Sequence, residues 1–312
     1  MRTSRGVFAA RVAAQRQLCA EHYRLTLSVP GFPASRPGQF IQLLCRPPYA
    51  SSAPRELTWG PDSPPQLSDP ELIDRQTMLR RPISLAGRRD SGDASEIDLI
   101  YRVVGTATRW LTGAEPGAEL SVLGPLGNGF APRGAGEAVL IGGGVGIPPL
   151  LYLAETLADG GTNVTAIFGA RSEGLMPLRV DGAAVPREPA PSPCIADLPP
   201  QARAVLTTDD GTLGVAGTAS DALLEWLRRR EGGAAGLTAY CCGPEPLMRA
   251  VADICIERNL PCQLALERYM ACGMGTCQSC VVKVRDTNAE NGWAYKLCCT
   301  DGPVFEAADL LW

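Results

Sequence analysis

The chain has 312 residues, a formal net charge of −4, 45% hydrophobic residues and 20% charged ones. That length suits two or three domains around ordinary globular cores, and no basic run offers a surface for nucleic acid. No run of about eighteen apolar residues occurs, so no helix is expected to cross a membrane.

In chain order, Val7 to Val12, Tyr23 to Val29, Gln39 to Cys45, Glu96 to Val103 and Glu119 to Leu123 are short apolar or alternating runs bounded by Gly, Pro or Asp. They predict a small antiparallel β-barrel over residues 1–133. The Pro- and Ser-rich stretch 46–80 has no periodicity and reads as an insertion, with a short helix near Pro70 to Met78. After the linker Pro132 to Gly136 the texture changes. The apolar run Ala138 to Ile141 leads into Gly142-Gly-Gly-Val-Gly146 and a helix to Leu157. Strands at Asn163 to Phe168, Ala204 to Thr207 and Leu237 to Cys242 then alternate with helices at Ala219 to Arg230 and Glu245 to Arg258. This is the pattern of a parallel α/β domain over 134–260. A small third domain, 261–312, carries a cysteine-rich loop, a strand at Cys280 to Val284 and a polar hairpin.

The cysteine loop is the most specific signal. Cys272, Cys277 and Cys280 stand in a Cys-x4-Cys-x2-Cys spacing, with a distant fourth cysteine at Cys298 or Cys299. That is the plant-type ligand pattern of a [2Fe-2S] cluster. Gly273 and Gly275 let the loop curl so that its amides turn toward sulfur. A zinc knuckle would normally show two Cys-x2-Cys pairs, and the loop has one. A cluster predicts electron transfer. Twelve cysteines in a chain this long, five of them at or after Cys272, suit a reducing cytoplasm better than a disulfide framework. Cys19, Cys45, Cys194, Cys255 and Cys262 are expected as small core residues. The single histidine, His22, is expected to be structural, which leaves histidine-based hydrolysis and proton relays without their main group.

Two further sites are expected. Gly142, Gly143, Gly144 and Gly146 lie at a strand-to-helix junction, where backbone amides and a helix N-terminus can approach a pyrophosphate. Cys242-Gly-Pro-Glu-Pro246 ends the last strand of the same layer, at the carboxyl edge that carries ligands, and puts Cys242 against a nicotinamide. In Arg81-Pro82-Ile83-Ser84 the arginine offers a planar fork to phosphate, and the serine can bond an isoalloxazine edge. Glu173, shortly after the second strand of the α/β domain, could take a ribose hydroxyl.

The order of these motifs resembles the ferredoxin-reductase superfamily and, within it, the electron-transfer subunits of class 1B dihydroorotate dehydrogenases. The marks are Arg80-Arg-Pro-Ile-Ser84, Ile100-Tyr-Arg-Val103, Leu123-Gly-Pro-Leu-Gly-Asn-Gly-Phe130, Gly142 to Pro149, Cys242 to Pro246, Glu267-Arg-Tyr-Met-Ala-Cys-Gly273 and Asp301-Gly-Pro-Val-Phe305. The resemblance implies FAD at Arg81 to Ser84, Ile100, Tyr101 and Arg102, with Ala107 and Thr108 at its phosphate. Ala107 replaces the second glycine of the family's Gly-x-Gly-Thr. It implies NAD at the glycine turn and Cys299 as the fourth cluster ligand, with Cys298 its apolar neighbour. It also implies a partner, an FMN-containing dihydroorotate dehydrogenase catalytic subunit, in a heterotetramer serving pyrimidine synthesis. Rival readings are the flavin subunit of a ferredoxin:NADP or sulfide oxidoreductase, and a redox sensor whose cluster is only a staple.

Overall fold

Alternation of core-facing and outward residues builds the first half of the molecule. The computed structural model describes residues 5–48, 60–62, 79–133 and 136–312, so the expected insertion helix near Pro70 to Met78 lies outside the described residues. Strands β1 (Gly6–Cys19), β2 (His22–Pro30), β3 (Phe40–Leu44), β4 (Arg81–Ser91), β5 (Ala94–Arg102) and β6 (Glu119–Leu126) close into an antiparallel barrel in the order β1-β2-β5-β4-β3-β6. Leu25, Leu27, Ile41, Leu43, Leu85, Ile97 and Leu99 fill it, each wholly buried. Strand β4 was not evident from its residues, because Pro82 and Gly87 interrupt it and its far end is polar. Pairing with β3 on one side and β5 on the other imposes the extended form, with an irregularity between Leu85 and Gly87. A short helix, α1 (Thr106–Leu111), spans β5 to β6.

The second half begins with β7 (Glu137–Gly143) and continues through α2 (Ile147–Asp159), β8 (Asn163–Ala170), β9 (Arg203–Thr208), β10 (Val215–Ala216), α3 (Ala219–Arg229), β11 (Leu237–Cys242), α4 (Glu245–Glu257) and β12 (Cys262–Ala265). A hairpin, β13 (Val281–Arg285) and β14 (Trp293–Leu297), then precedes β15 (Val304–Glu306) and β16 (Leu310–Leu311). Seven strands form one sheet in the order β10-β9-β8-β7-β11-β12-β15, parallel except for β15. This sheet takes β12 and β15 from beyond residue 260, so the expected boundary there cuts through its hydrogen bonding. Val139, Ile141, Ala239, Cys241 and Leu264 are buried on one face of it. Helix α2, with Pro148 and Pro149 in its first turn where no intrahelical amide is lost, is buried between sheet and barrel. Its Tyr152 hydroxyl donates to the Ser35 carbonyl at 2.9 Å.

The rest of the C-terminal segment forms a three-stranded sheet, β14-β13-β16. Two motifs lock it to the barrel. Asn128 Nδ2 donates to the carbonyls of Asp301 at 3.0 Å and Val304 at 2.8 Å, and Asn128 Oδ1 accepts from Val304 N at 2.9 Å. Asp301 in turn accepts from Leu297 N at 2.7 Å. The strand end that carries Cys298 and Cys299 is thereby held against the last barrel strand.

Candidate functional site

Where barrel and seven-stranded sheet meet, a groove of about 760 Å³ opens. Its barrel wall is Arg81, Pro82, Ile83 and Ser84 at the start of β4, Ile100, Tyr101 and Arg102 at the end of β5, and Thr108 on α1. The opposite wall holds Gly143, Gly144 and Gly146 between β7 and α2, with Cys242 at the end of β11. Residues far apart in the chain thus face one another across one cleft.

Neighbours decide what each side chain can offer. Among the described residues Arg81 bonds the carbonyls of Leu79 and Arg80, at 3.3 and 3.4 Å, and it lines the groove. Arg80 is spent on structure, donating to the Ser121 carbonyl and hydroxyl at 2.8 Å each. Tyr101 turns its ring into the barrel core and donates to Gln15 Oε1 at 3.2 Å. Arg102 pairs with Glu21 at 2.6 Å. The Thr108 hydroxyl accepts from Val104 N at 2.9 Å and Gly105 N at 3.2 Å, so it braces the turn before α1.

Two expected residues do not reach the groove. Ala107 is buried in the barrel core. Gly142 lies inside the sheet, where a methyl group would press on Leu150 and Phe168 at 3.0 Å. Gly146 has a stricter role: a Cβ there would fall under 3.0 Å from the Cys242 carbonyl and Gly243 nitrogen. Only glycine lets the turn come so close to the end of β11. Cys242 itself is 8% exposed, and burial pushes its thiol pKa well up, helped by nearby Glu267. It therefore stands in the groove as a neutral thiol.

Several lining residues carried no signal in the sequence. Asp209 and Thr218, after β9 and before α3, line the groove, whereas Glu173 does not; its backbone amide donates to the Thr212 hydroxyl at 2.9 Å. His22 also lines the groove, 2% exposed, with Nε2 unpartnered and Nδ1 3.2 Å from Cys19 Sγ. Burial first, and then Arg102, lowers its pKa to about 4, so the imidazole is neutral. Its expected purely structural role does not account for that open nitrogen.

The cysteine loop adjoins the groove through Leu266, Glu267, Arg268 and Met270. Arg268 is anchored to Glu245 at 2.7 Å, which ties the motif opening α4 to the one opening the loop. Within the loop Met274 N and Cys277 N both donate to Cys272 Sγ at 3.4 Å, and Cys299 N donates to Cys280 Sγ at 3.4 Å. Gly273 and Gly275 have φ of +70° and +90°, which permits this curl. Ser279, the first cause, and the loop amides lower the exposed Cys277 thiol to about 6. Burial, with Cys280 alongside, raises Cys299 to about 12. Cys298 points elsewhere: its sulfur lies 3.5 Å from the Leu266 carbonyl in the core.

Thiols fed by backbone amides are the donor set a two-iron, two-sulfide unit needs. Among the described residues no three such groups converge on one point. A two-iron unit does not ask for that, because each iron takes only two protein ligands. The donor chemistry fits the cluster.

Residues 267–311 match the family model described as the iron-sulfur cluster binding domain of dihydroorotate dehydrogenase B. Over the whole chain, 32% identity across 305 residues links it to a dihydroorotate dehydrogenase B (NAD(+)) electron transfer subunit of Geobacillus thermodenitrificans, covering 96% of each. The subunit of the same name from Bacillus caldolyticus is 34% identical over 307 residues, again with 96% of each covered. In fold the chain resembles the NADH-dependent reduced ferredoxin-NADP oxidoreductase, with a TM-score of 0.69 and 22% identity over 97% of this chain and 90% of that one. It also resembles the ferredoxin reductase of carbazole 1,9a-dioxygenase, with a TM-score of 0.59 and 17% identity over 84% and 68%. With the groove, the cysteine loop and relatives matched from end to end, the chain belongs to the family of dihydroorotate dehydrogenase B electron transfer subunits.

Proposed function

We propose that this chain passes electrons between an FMN-containing dihydroorotate dehydrogenase catalytic subunit and NAD+, in pyrimidine biosynthesis. It uses a [2Fe-2S] cluster held by Cys272, Cys277, Cys280 and Cys299, and FAD in the groove. The observation that carries this is the convergence of the Arg81-to-Ser84 edge, the glycine turn, Cys242 and the foot of the cysteine loop on one cleft. Arg81 supplies the charged fork for the flavin phosphate, and Ser84 a hydroxyl for its ring edge. Ile100, the Tyr101 backbone and Arg102 form the wall beside it, with Thr108 bracing the phosphate turn and Ala107 packing beneath. Gly143, Gly144 and Gly146 present amides to the pyrophosphate of NAD at the N-terminus of α2, supported from below by Gly142. Neutral Cys242 gives the nicotinamide an uncharged wall. When bound, the flavin converts the hydride pairs of nicotinamide into the single electrons a cluster takes.

Among the described residues no helix is long and apolar enough to cross a membrane, and all twelve thiols are free, which suits the cytoplasm. Tyr269, 95% exposed, and Met274 border the cysteine loop and suit an interface with the partner in a heterotetramer. The chain on its own should reduce ferricyanide with NADH yet leave dihydroorotate untouched, and it should acquire dihydroorotate:NAD+ activity when its catalytic partner is added. Dihydroorotate turnover by the purified single chain would overturn the subunit reading.

A further inference from the structure

Gln42 lies in the middle of β3, between Ile41 and Leu43, which point into the barrel core, so its own side chain points out of the barrel. It is wholly buried, and among the described residues neither Nε2 nor Oε1 has a hydrogen-bond partner. The other two buried glutamines among the described residues are bonded at both ends. Gln39 donates to the Gly127 carbonyl at 2.8 Å and accepts from Arg36 N at 2.8 Å. Gln263 accepts from Ala131 N at 2.9 Å and donates to Glu306 at 3.0 Å. An amide buried with both ends unpaired is a costly arrangement, and native folds rarely keep one without a partner to come.

The direction of the side chain shows where that partner belongs. A Cβ built on Gly273 would lie 2.5 Å from Gln42 Nε2, 2.9 Å from Cγ and 3.1 Å from Cδ. Gln42 therefore packs directly against the residue that follows Cys272 in the cysteine loop. It cannot withdraw, because β3 is laddered on both sides, with Gln42 opposite Pro82 in β4 and Leu123 in β6. Thiolate and sulfide sulfurs offer lone pairs only, so the amide nitrogen is the end that must face them.

We propose that Gln42 is a hydrogen-bond donor to the iron-sulfur centre, reaching from the flavin barrel through Nε2 to a sulfur of the cluster and raising its reduction potential. This rests on the reading that the loop carries a [2Fe-2S] cluster. A donor at sulfur favours the reduced, more negative form. Because Gln42 sits directly opposite Pro82, one barrel ladder then shapes the flavin edge on one side and the potential of the cluster on the other.

The test is an EPR-monitored redox titration of the full chain with flavin and cluster in place, alongside iron and sulfide analysis. Gln42→Met keeps the volume and removes the donor. The cluster midpoint should fall in the Met variant, with iron content and the flavin midpoint unchanged. Gln42→Asn, one methylene shorter, should lower the midpoint as Met does and guards against a Met variant that does not fold. A cluster midpoint equal to wild type in the folded variants would overturn the donor role and leave the cluster reading intact. A wild-type chain without iron would overturn both.

Discussion

Replacing Gly146 by alanine tests whether the nucleotide half of the groove depends on a close backbone approach. The added methyl would sit under 3.0 Å from both the Cys242 carbonyl and the Gly243 nitrogen, and neither can swing aside as a side-chain tip could. Overpacking of this kind costs about 1–3 kcal/mol, and rigid backbone neighbours put it at the upper end. The turn and the end of β11 must part by something on the order of 1 Å, enough to cost roughly a hundredfold in a reaction that needs aligned partners. Gly144 is the matched control: its φ is +54° and a Cβ there meets nothing within 4 Å. Gly144→Ala should cost about 1 kcal/mol of backbone strain, with weaker NADH binding because its methyl faces the groove. Gly146→Ala should lower the melting temperature by about 5–10 °C and slow NADH:ferricyanide turnover at saturating NADH. Melting curves and steady-state kinetics on both variants decide the matter. If Gly146→Ala melts and turns over like wild type, or Gly144→Ala is the less stable of the two, the close-approach argument is wrong.

Cys299→Ser should abolish or strongly alter the cluster's visible absorption while Cys298→Ala keeps it, because the Cys298 sulfur faces the Leu266 carbonyl in the core; the opposite pattern would exchange their roles. Arg81→Ala removes a charged donor worth about 1.5–3 kcal/mol, so flavin affinity should drop roughly ten- to a hundredfold with the cluster band retained, and undiminished flavin after dialysis would remove Arg81 from the site. Cys242→Ala should lower the turnover number more than it raises the Michaelis constant for NADH, and a rate indifferent to it would take the thiol away from the nicotinamide. His22 is the only histidine, so one imidazole NMR titration reports it directly. With its pKa at about 4 in the fold, below the unfolded value of roughly 6.5, it should stay neutral at pH 5.5. The unfolded chain then binds the extra proton, so stability should fall as pH drops from about 6.5 toward 4; titration near 6.5 would contradict its burial.

Features whose chemistry is local are legible in the linear chain. The proposed cluster ligands Cys272, Cys277 and Cys280 come from one loop, and the pattern that suggests them is a spacing within that loop, so a linear reading finds them. The glycine turn after Ile141 and the alternation of strands and helices beyond it are likewise set by neighbours in the chain. Tertiary structure decided what depends on contacts between distant segments. Strand β4 is extended because β3 and β5 flank it, against the local preference of Pro82 and Gly87. Strands β12 and β15 join the larger sheet because their hydrogen-bonding edges meet it, whatever the change of texture near residue 260 implied. Ala107 and Gly142 belong to motifs yet face packed cores, while Asp209 and Gln42 belong to none and were visible only once partners and burial were known. Asn128 shows the limit most clearly. Nothing in the sequence joins it to Asp301 and Val304, yet its half-buried side-chain amide ties the last barrel strand to the segment carrying Cys299, because an amide takes its partners wherever the fold brings them.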